Sequence, residues 1–342
     1  MNPSVEWLER HQVPLYLGAI VLAVVVGLMI PAVAHPSAAA INPVLGSLLY
    51  ATFLGVPFAK VGQAFRDWRF LATVFVVNFV VAPIVVFAVS RFVAADHVLL
   101  VGVLFVLLTP CVDYVIVFTG LAGGAKDRLL AAAPLLMLSQ ILLLPVYLWL
   151  MIGPEFVQSI DLEPFVEAFL QLILLPLAAA GLTQLAAART RAGDIVQNVV
   201  LGAMVPLMML TLAVVVASQI YGVGEQITAL LLAVPVFILF AVGMVPLGAI
   251  ASRAARLDVP GRRAIVFSGV TRNSLVVLPL VLALPAEFDL APLVVVTQTL
   301  VELLVMVVLV RQIPRLLRLR QEGKAPAEAS AGPPREPRAT RE

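Results

Sequence analysis

Thr109-Pro110-Cys111-Val112-Asp113-Tyr114-Val115 interrupts an apolar run that extends from Leu99 to Ala122. It brings a proline, an acid and the chain's single cysteine together among almost wholly apolar neighbours. Proline removes a helical hydrogen bond and clashes with the carbonyl four residues earlier, so a helix breaks there. At bilayer depth, broken polar backbone is tolerated only where it is buried in protein or lines a cavity. The stretch therefore predicts a discontinuous membrane helix at a transport site.

The rest of the 342 residues places this break in a membrane. The chain is 62% hydrophobic and 12% charged, whereas soluble domains run nearer half apolar and a quarter charged. Ten apolar stretches lie near 13–33, 41–60, 70–90, 98–122, 129–152, 164–187, 195–219, 227–250, 263–285 and 290–312. Each approaches the length of about 20 residues that crosses a hydrocarbon core. The first is too long for the apolar part of a secretory signal, and Glu6, Glu9 and Arg10 make a poor basic leader. Lys60, Arg66, Arg69, Lys126, Arg128, Arg189, Arg191, Arg253, Arg256, Arg262 and Arg263 fall in alternate loops. Arg311, Arg315, Arg318 and Arg320 follow the last stretch, while the other loops hold Arg91 and mostly acids. The positive-inside rule then sets both termini in the cytoplasm; the expected location is a bacterial inner membrane, crossed by many passes. The expected organisation is a cytoplasmic N-terminus (1–12), five helices (13–152), an outer loop (153–163), five helices (164–312) and a tail (313–342). The tail is basic, then Ala-, Pro- and Glu-rich, a composition that predicts disorder.

An internal repeat divides the ten stretches. Pro134-Leu-Leu-Met-Leu-Ser139-Gln140-Ile-Leu-Leu matches Pro292-Leu-Val-Val-Val-Thr297-Gln298-Thr-Leu-Val in the tenth stretch. Five helices per copy invert the second copy relative to the first, the plan of secondary transporters with sites on broken helices near the midplane. The partner of the Cys111 break is Phe267-Ser268-Gly269-Val270-Thr271-Arg272-Asn273-Ser274 in the ninth stretch. The predicted fold is all-α: ten transmembrane helices in two inverted five-helix repeats, with the fourth and ninth broken and crossing near the midplane.

Intramembrane charge needs a partner or a cavity. Asp113, Arg272 and Glu302 are the deep candidates. Crossing breaks would bring Asp113 within reach of Arg272, as a structural ion pair or as a switch in which Asp113 takes a proton. Glu302 lies one turn beyond Gln298, so the two share a face that looks toward the crossing. Gln140, Ser139, Thr297, Gln298, Thr271, Ser268, Asn273 and Ser274 would complete a polar cavity or bond helix to helix. Asn78 in the third stretch reads most simply as a helix-to-helix hydrogen bond. Glu167, Gln171, Gln197 and Asn198 could face the cavity from the other side. Cys111 is either a packing residue or, at a helix break, a thiolate of lowered pKa suited to a thiophilic solute. One cysteine excludes a disulfide or thiolate cluster within the chain. No nucleotide, zinc-protease or serine-hydrolase motif is present. The expectation is therefore a non-enzyme without cofactor or nucleic-acid partner, drawing on an ion gradient.

The segment TPCVDYVIVFTGLAGG (109–124), with Lys126-Asp127 after it, resembles the fourth-helix signature of the arsenite-efflux permeases, a branch of the bile acid/sodium symporter superfamily. Gly269 to Leu275 resembles the ninth-helix crossover of the same superfamily, with Asn273-Ser274 in register. The resemblance implies ten helices, and it puts Cys111 in place of the metalloid-liganding cysteine. Two departures stand out. Leu275 occupies the neighbourhood of the arsenite permeases' glutamate, and Ser268 and Arg272 replace the glutamate and glutamine of sodium-coupled members. That argues against sodium and leaves Asp113 or Glu302 to supply the carboxylate. The implied function is efflux of arsenite or antimonite by proton exchange, through alternating access. The alternative is an ion-coupled organic-anion symporter in which Arg272 holds the substrate carboxylate. A channel or a membrane signalling module would need neither the repeat nor the paired breaks.

Overall fold

The structure, a computed structural model, describes residues 11–55, 65–112, 114–153, 170–220 and 227–317, with a few isolated positions outside them. The 313–342 tail beyond Leu317, the 153–163 loop beyond Gly153 and most of 1–12 lie outside the described residues, as does Asp113.

Helices fall on all ten apolar stretches. They are α1 (Gln12–Met29), α2 (Ala34–Gly55), α3 (Trp68–Val93), α4 (His97–Leu107), α5 (Tyr114–Leu121), α6 (Lys126–Ile152), α7 (Leu175–Ala187), α8 (Arg191–Gly202), α9 (Met204–Gln219), α10 (Ile227–Ala254), α11 (Val259–Val270), α12 (Ser274–Leu282) and α13 (Ala291–Leu316). Among the described residues, Pro31–Gly55, Trp68–Val93, Lys126–Ile152, Ile227–Ala254 and Ala286–Leu316 are long and apolar enough to cross a membrane. Arg191–Gly202 and Met204–Ser218 add a sixth span only if a pair bent by 47° counts as one. The fourth and ninth predicted stretches are each two short helices around a break.

The helices pack in two groups. α1, α2, α7, α8 and α9 form one; α3 to α6 and α10 to α13 form the other. Each group draws on both halves of the chain. The groups meet mainly where α12 touches α2 and α13 touches α9. Outward faces are apolar, for example Val21, Leu22 and Val25 on α1, or Val76, Val80 and Ile84 on α3. These faces suit a hydrocarbon solvent, which leaves the polar residues to be satisfied inside.

Local sequence explains the special features. Asp96 accepts from the Val98 and Leu99 N–H groups (both 3.0 Å) and starts α4. Gly102 lets α4 close on α13: a Cβ there would lie 2.8 Å from Val294 Cβ and 3.3 Å from Ala291 Cα. In α3, Pro83 has no N–H for the Phe79 carbonyl. A π-helical turn at Val77–Val81 absorbs the defect, and the Tyr147 hydroxyl of α6 donates to Phe79 O at 2.6 Å. Tyr147→Phe should therefore remove a donor from a half-buried carbonyl and lower stability by about 1 kcal/mol; thermal unfolding in detergent measures it.

Basic side chains tie one end of the second group together. Arg128 pairs with Asp67 (3.2 Å) and Asp258 (2.6 Å), ahead of α3 and α11. Arg263 donates to the carbonyls of Ala122, Gly123, Pro314 and Leu317. Both Arg128 pairs are half-exposed, so each is worth at most about 1 kcal/mol.

Candidate functional site

The two interruptions meet. Past the end of α4, the Thr109 hydroxyl turns back to Phe105 O (3.3 Å) and Val106 O (3.1 Å), and Pro110 supplies no donor. Past the end of α11, Thr271 adopts extended backbone, and its hydroxyl donates to Phe267 O (2.8 Å). Cys111 N–H donates to Thr271 O (3.2 Å), and Asn273 N–H donates to Thr109 O (2.8 Å). Pro110 and Arg272 thus form an isolated antiparallel β-bridge in an otherwise helical structure. Each break leaves buried peptide groups without helical partners. The bridge lets each break satisfy the other.

Arg272 is fully buried. Its side chain turns back along α11. Nη2 donates to Asn78 Oδ1 (3.0 Å), Ser268 O (3.1 Å) and Gly269 O, and Nη1 donates to Leu107 O (3.3 Å). The guanidinium carbon lies 5.0 Å from the centre of the Phe240 ring. Ser268, Gly269 and Leu107 carbonyls belong to the last turns of α11 and α4, the negative ends of two half-helices. The cation sits where those ends converge, with Asn78 and an aromatic face completing its surroundings.

Asn78 stands in the π turn of α3 and is fully buried. Its Nδ2 donates to Val74 O and to Ser268 Oγ (both 2.9 Å). Gly269 permits this approach: a Cβ there would lie 2.9 Å from Val77 Cγ1. Asn78 is thus more than a bond between two helices, because its carbonyl oxygen also holds the charge.

The acid belongs to α13. Glu302 is buried, and its Oε2 accepts from the main-chain N–H of Arg272 (2.8 Å) and from Gln298 Nε2. Arg272 N–H lies just ahead of α12, whose first turn is capped by Asn273 Oδ1 accepting from Val276 N–H (3.3 Å). The carboxylate therefore stands at the positive end of a half-helix and the guanidinium at the negative ends of two others. Glu302 and Gln298 also line a small cavity of about 10 Å³, otherwise walled by apolar residues including Phe237, Phe240 and Val305. That is room for about one water molecule.

The structure thus gathers Arg272, Glu302, Gln298, Asn78, Ser268, Thr271 and Asn273, with the Cys111 backbone in the bridge and its side chain buried. Gln140 and Ser274 are buried too, but among the described residues neither Gln140 amide atom nor Ser274 Oγ has a hydrogen-bond partner. The same holds for Asn273 Nδ2 and Gln298 Oε1. Ser139 and Thr297 are half-exposed and stand outside the network. Asp113 falls outside the described residues; among the described residues, Glu302 meets Arg272 through the arginine's main-chain N–H. Glu167 and Gln171 bond each other (2.9 Å) on an exposed surface, Asn198 is exposed and Gln197 half-buried. Phe240 and the carbonyls of Leu107 and Gly269 escape a reading of sequence. A phenylalanine in an apolar run carries no signal, and main-chain acceptors carry none at all.

No curated protein matches the chain. The stretch matched by a family model, residues 42–230, includes Asn78, Cys111 and Gln140 and ends ahead of α11. With more than half of its length matched by the model of the sodium bile acid symporter family, the chain belongs to that family of membrane transporters.

Proposed function

We propose that this protein is a secondary active transporter that works by alternating access, its ten spans arranged as two inverted five-helix repeats, with both termini in the cytoplasm. The observation that carries the reading is the reciprocal pairing of Thr109–Cys111 with Thr271–Asn273 between four half-helices. The repeat gains support from matching environments: Gln140 and Gln298 are both buried, while Ser139 and Thr297 are both half-exposed. Irregular backbone at the contact of two repeats is where such transporters bind solute and ion.

The coupling ion is a proton. Among the described residues, four oxygens, from Asn78, Leu107, Ser268 and Gly269, surround the Arg272 guanidinium, so a tethered cation fills a shell of the kind that would hold a mobile one. Glu302 supplies a titratable group against the same segment. The solute is a trivalent metalloid, arsenite or antimonite, extruded in exchange for protons. In neutral water such a solute is an uncharged trihydroxide, suited to a soft sulfur ligand with neutral hydrogen-bonding groups. Cys111 offers the sulfur, and Gln140, Asn273 and Ser274 hold unused polar atoms.

Family membership favours a second reading, an ion-coupled organic-anion symporter in which Arg272 holds the substrate carboxylate. Against it, the guanidinium already donates to four oxygens of the protein, which an anion would have to displace. Transport into everted vesicles separates the two. Cys111→Ser should reduce pH-driven arsenite uptake to background while leaving the unfolding temperature within a few degrees of wild type. Arsenite uptake that survives Cys111→Ser, or organic-anion uptake abolished by Arg272→Lys, would favour the symporter.

A further inference from the structure

At the basic end, away from the crossing, a groove of about 560 Å³ opens between the first turns of α3 and the last turns of α10. Its walls are small and mostly apolar, Ala72, Thr73 and Val76 on one side and Ala251 and Ala254 on the other, and Arg69 and Arg256 stand in its lining with Trp68. The groove's described lining includes no carboxylate. The acids next to it in sequence, Asp67 and Asp258, are both engaged by Arg128. Trp68 is exposed, and the guanidinium carbon of Arg69 lies 5.9 Å from its ring centre. Beyond the groove, Val80 and Ile250 continue as exposed apolar surface.

Arg256 adds an independent observation. Among the described residues it is the one non-glycine with left-handed backbone, at φ 56°. Its N–H donates to Arg253 O (2.9 Å), and Leu257 N–H donates to Ser252 O (3.1 Å), closing α10. Glycine is the usual residue at such a helix end. An arginine there holds the backbone under strain, and strain of this kind concentrates where a side chain is needed.

We infer that this groove binds an anionic glycerophospholipid. The phosphodiester lies between Arg69 and Arg256, whose planar forks match phosphate oxygens. One acyl chain runs along Ala72, Val76 and Ala254 toward Val80 and Ile250. The Trp68 indole lies at headgroup level, where tryptophans of membrane proteins gather. Basic pockets between helices take acidic headgroups in this way.

The full-length protein carrying Trp7→Phe and Trp149→Phe keeps Trp68 as its sole tryptophan and reports on the groove directly. In phosphatidylcholine vesicles, brominated phosphatidylglycerol should quench Trp68 at a roughly tenfold lower mole fraction than brominated phosphatidylcholine. Arg256→Gly should relieve the backbone, leave the unfolding temperature equal or higher, and still cut the lipid preference several-fold. Arg69→Gln with Arg256→Gln should abolish the preference. Equal quenching by the two lipids overturns the inference, and so does a preference that survives both sets of variants. Release of the quenching by soluble glycerol 3-phosphate would make the groove a free-anion site instead. A preference seen only after removal of residues 318–342 would make the tail its occupant.

Discussion

Arg272→Ala should unfold at a temperature lower than wild type by about 5 °C or more. The substitution strips donors from Asn78 Oδ1 and from the carbonyls of Leu107, Ser268 and Gly269, all grouped around a fully buried guanidinium. Each buried acceptor left without a partner costs about 1–3 kcal/mol. The losses overlap because the oxygens can relax together, so a total of about 3–5 kcal/mol, the usual penalty for breaking a buried charged contact, is expected. Arg272→Lys should recover part of the loss, since an ammonium has three donors but no planar fork. The emptied shell offers a sharper test than the loss itself. Millimolar guanidinium, or sodium in its place, should raise the unfolding temperature of Arg272→Ala without affecting the wild type. An alanine variant as stable as the wild type would remove the case for a tethered cation.

Glu302→Gln should leave the fold intact and abolish coupling. A glutamine oxygen at this position can still accept from Arg272 N–H and from Gln298, so both hydrogen bonds seen at Oε2 survive. A glutamine cannot carry the proton. Loss of a positioned proton-transfer group typically slows a step by two orders of magnitude or more, so pH-driven transport in vesicles should fall on the order of 100-fold. The remaining flux should lose its dependence on pH, with the unfolding temperature changed by no more than a few degrees. A variant that still transports with the wild-type pH profile would transfer the proton to another group, and Asp113→Asn is then the variant to measure.

Much of this arrangement was legible before any coordinates. The apolar lengths located the helices, since roughly 20 residues without charge have few other uses. Pro110 located one break, and the cluster Ser268 to Ser274 located the other. Spacing put Gln298 and Glu302 on one face, and both do look toward the crossing. The partner of Arg272 was harder to read. Charge points to Asp113, which lies outside the described residues; among the described residues the guanidinium is held by a side-chain amide and three carbonyls, whose positions depend on where two helices stop. Asn78 looked like a bond between helices because nothing in its own stretch announces the π turn that aims it at Arg272. Phe240 lies in an apolar run, and only packing distinguishes it from its neighbours.

By itself, then, the sequence determined that the chain is a membrane protein, where its helices run and where two of them break. Those properties follow from local hydropathy and from the missing N–H of proline. Tertiary structure alone decided that the breaks pair as a β-bridge, that Arg272 fills a shell of oxygens, and that Glu302 rather than another group receives its main-chain N–H. Such contacts join residues up to 194 positions apart. They depend on which way helix ends and side chains point once packed, information that no local pattern carries. The break at Pro110-Cys111 is thus half of a crossing whose other half stands on α11, α12 and α13.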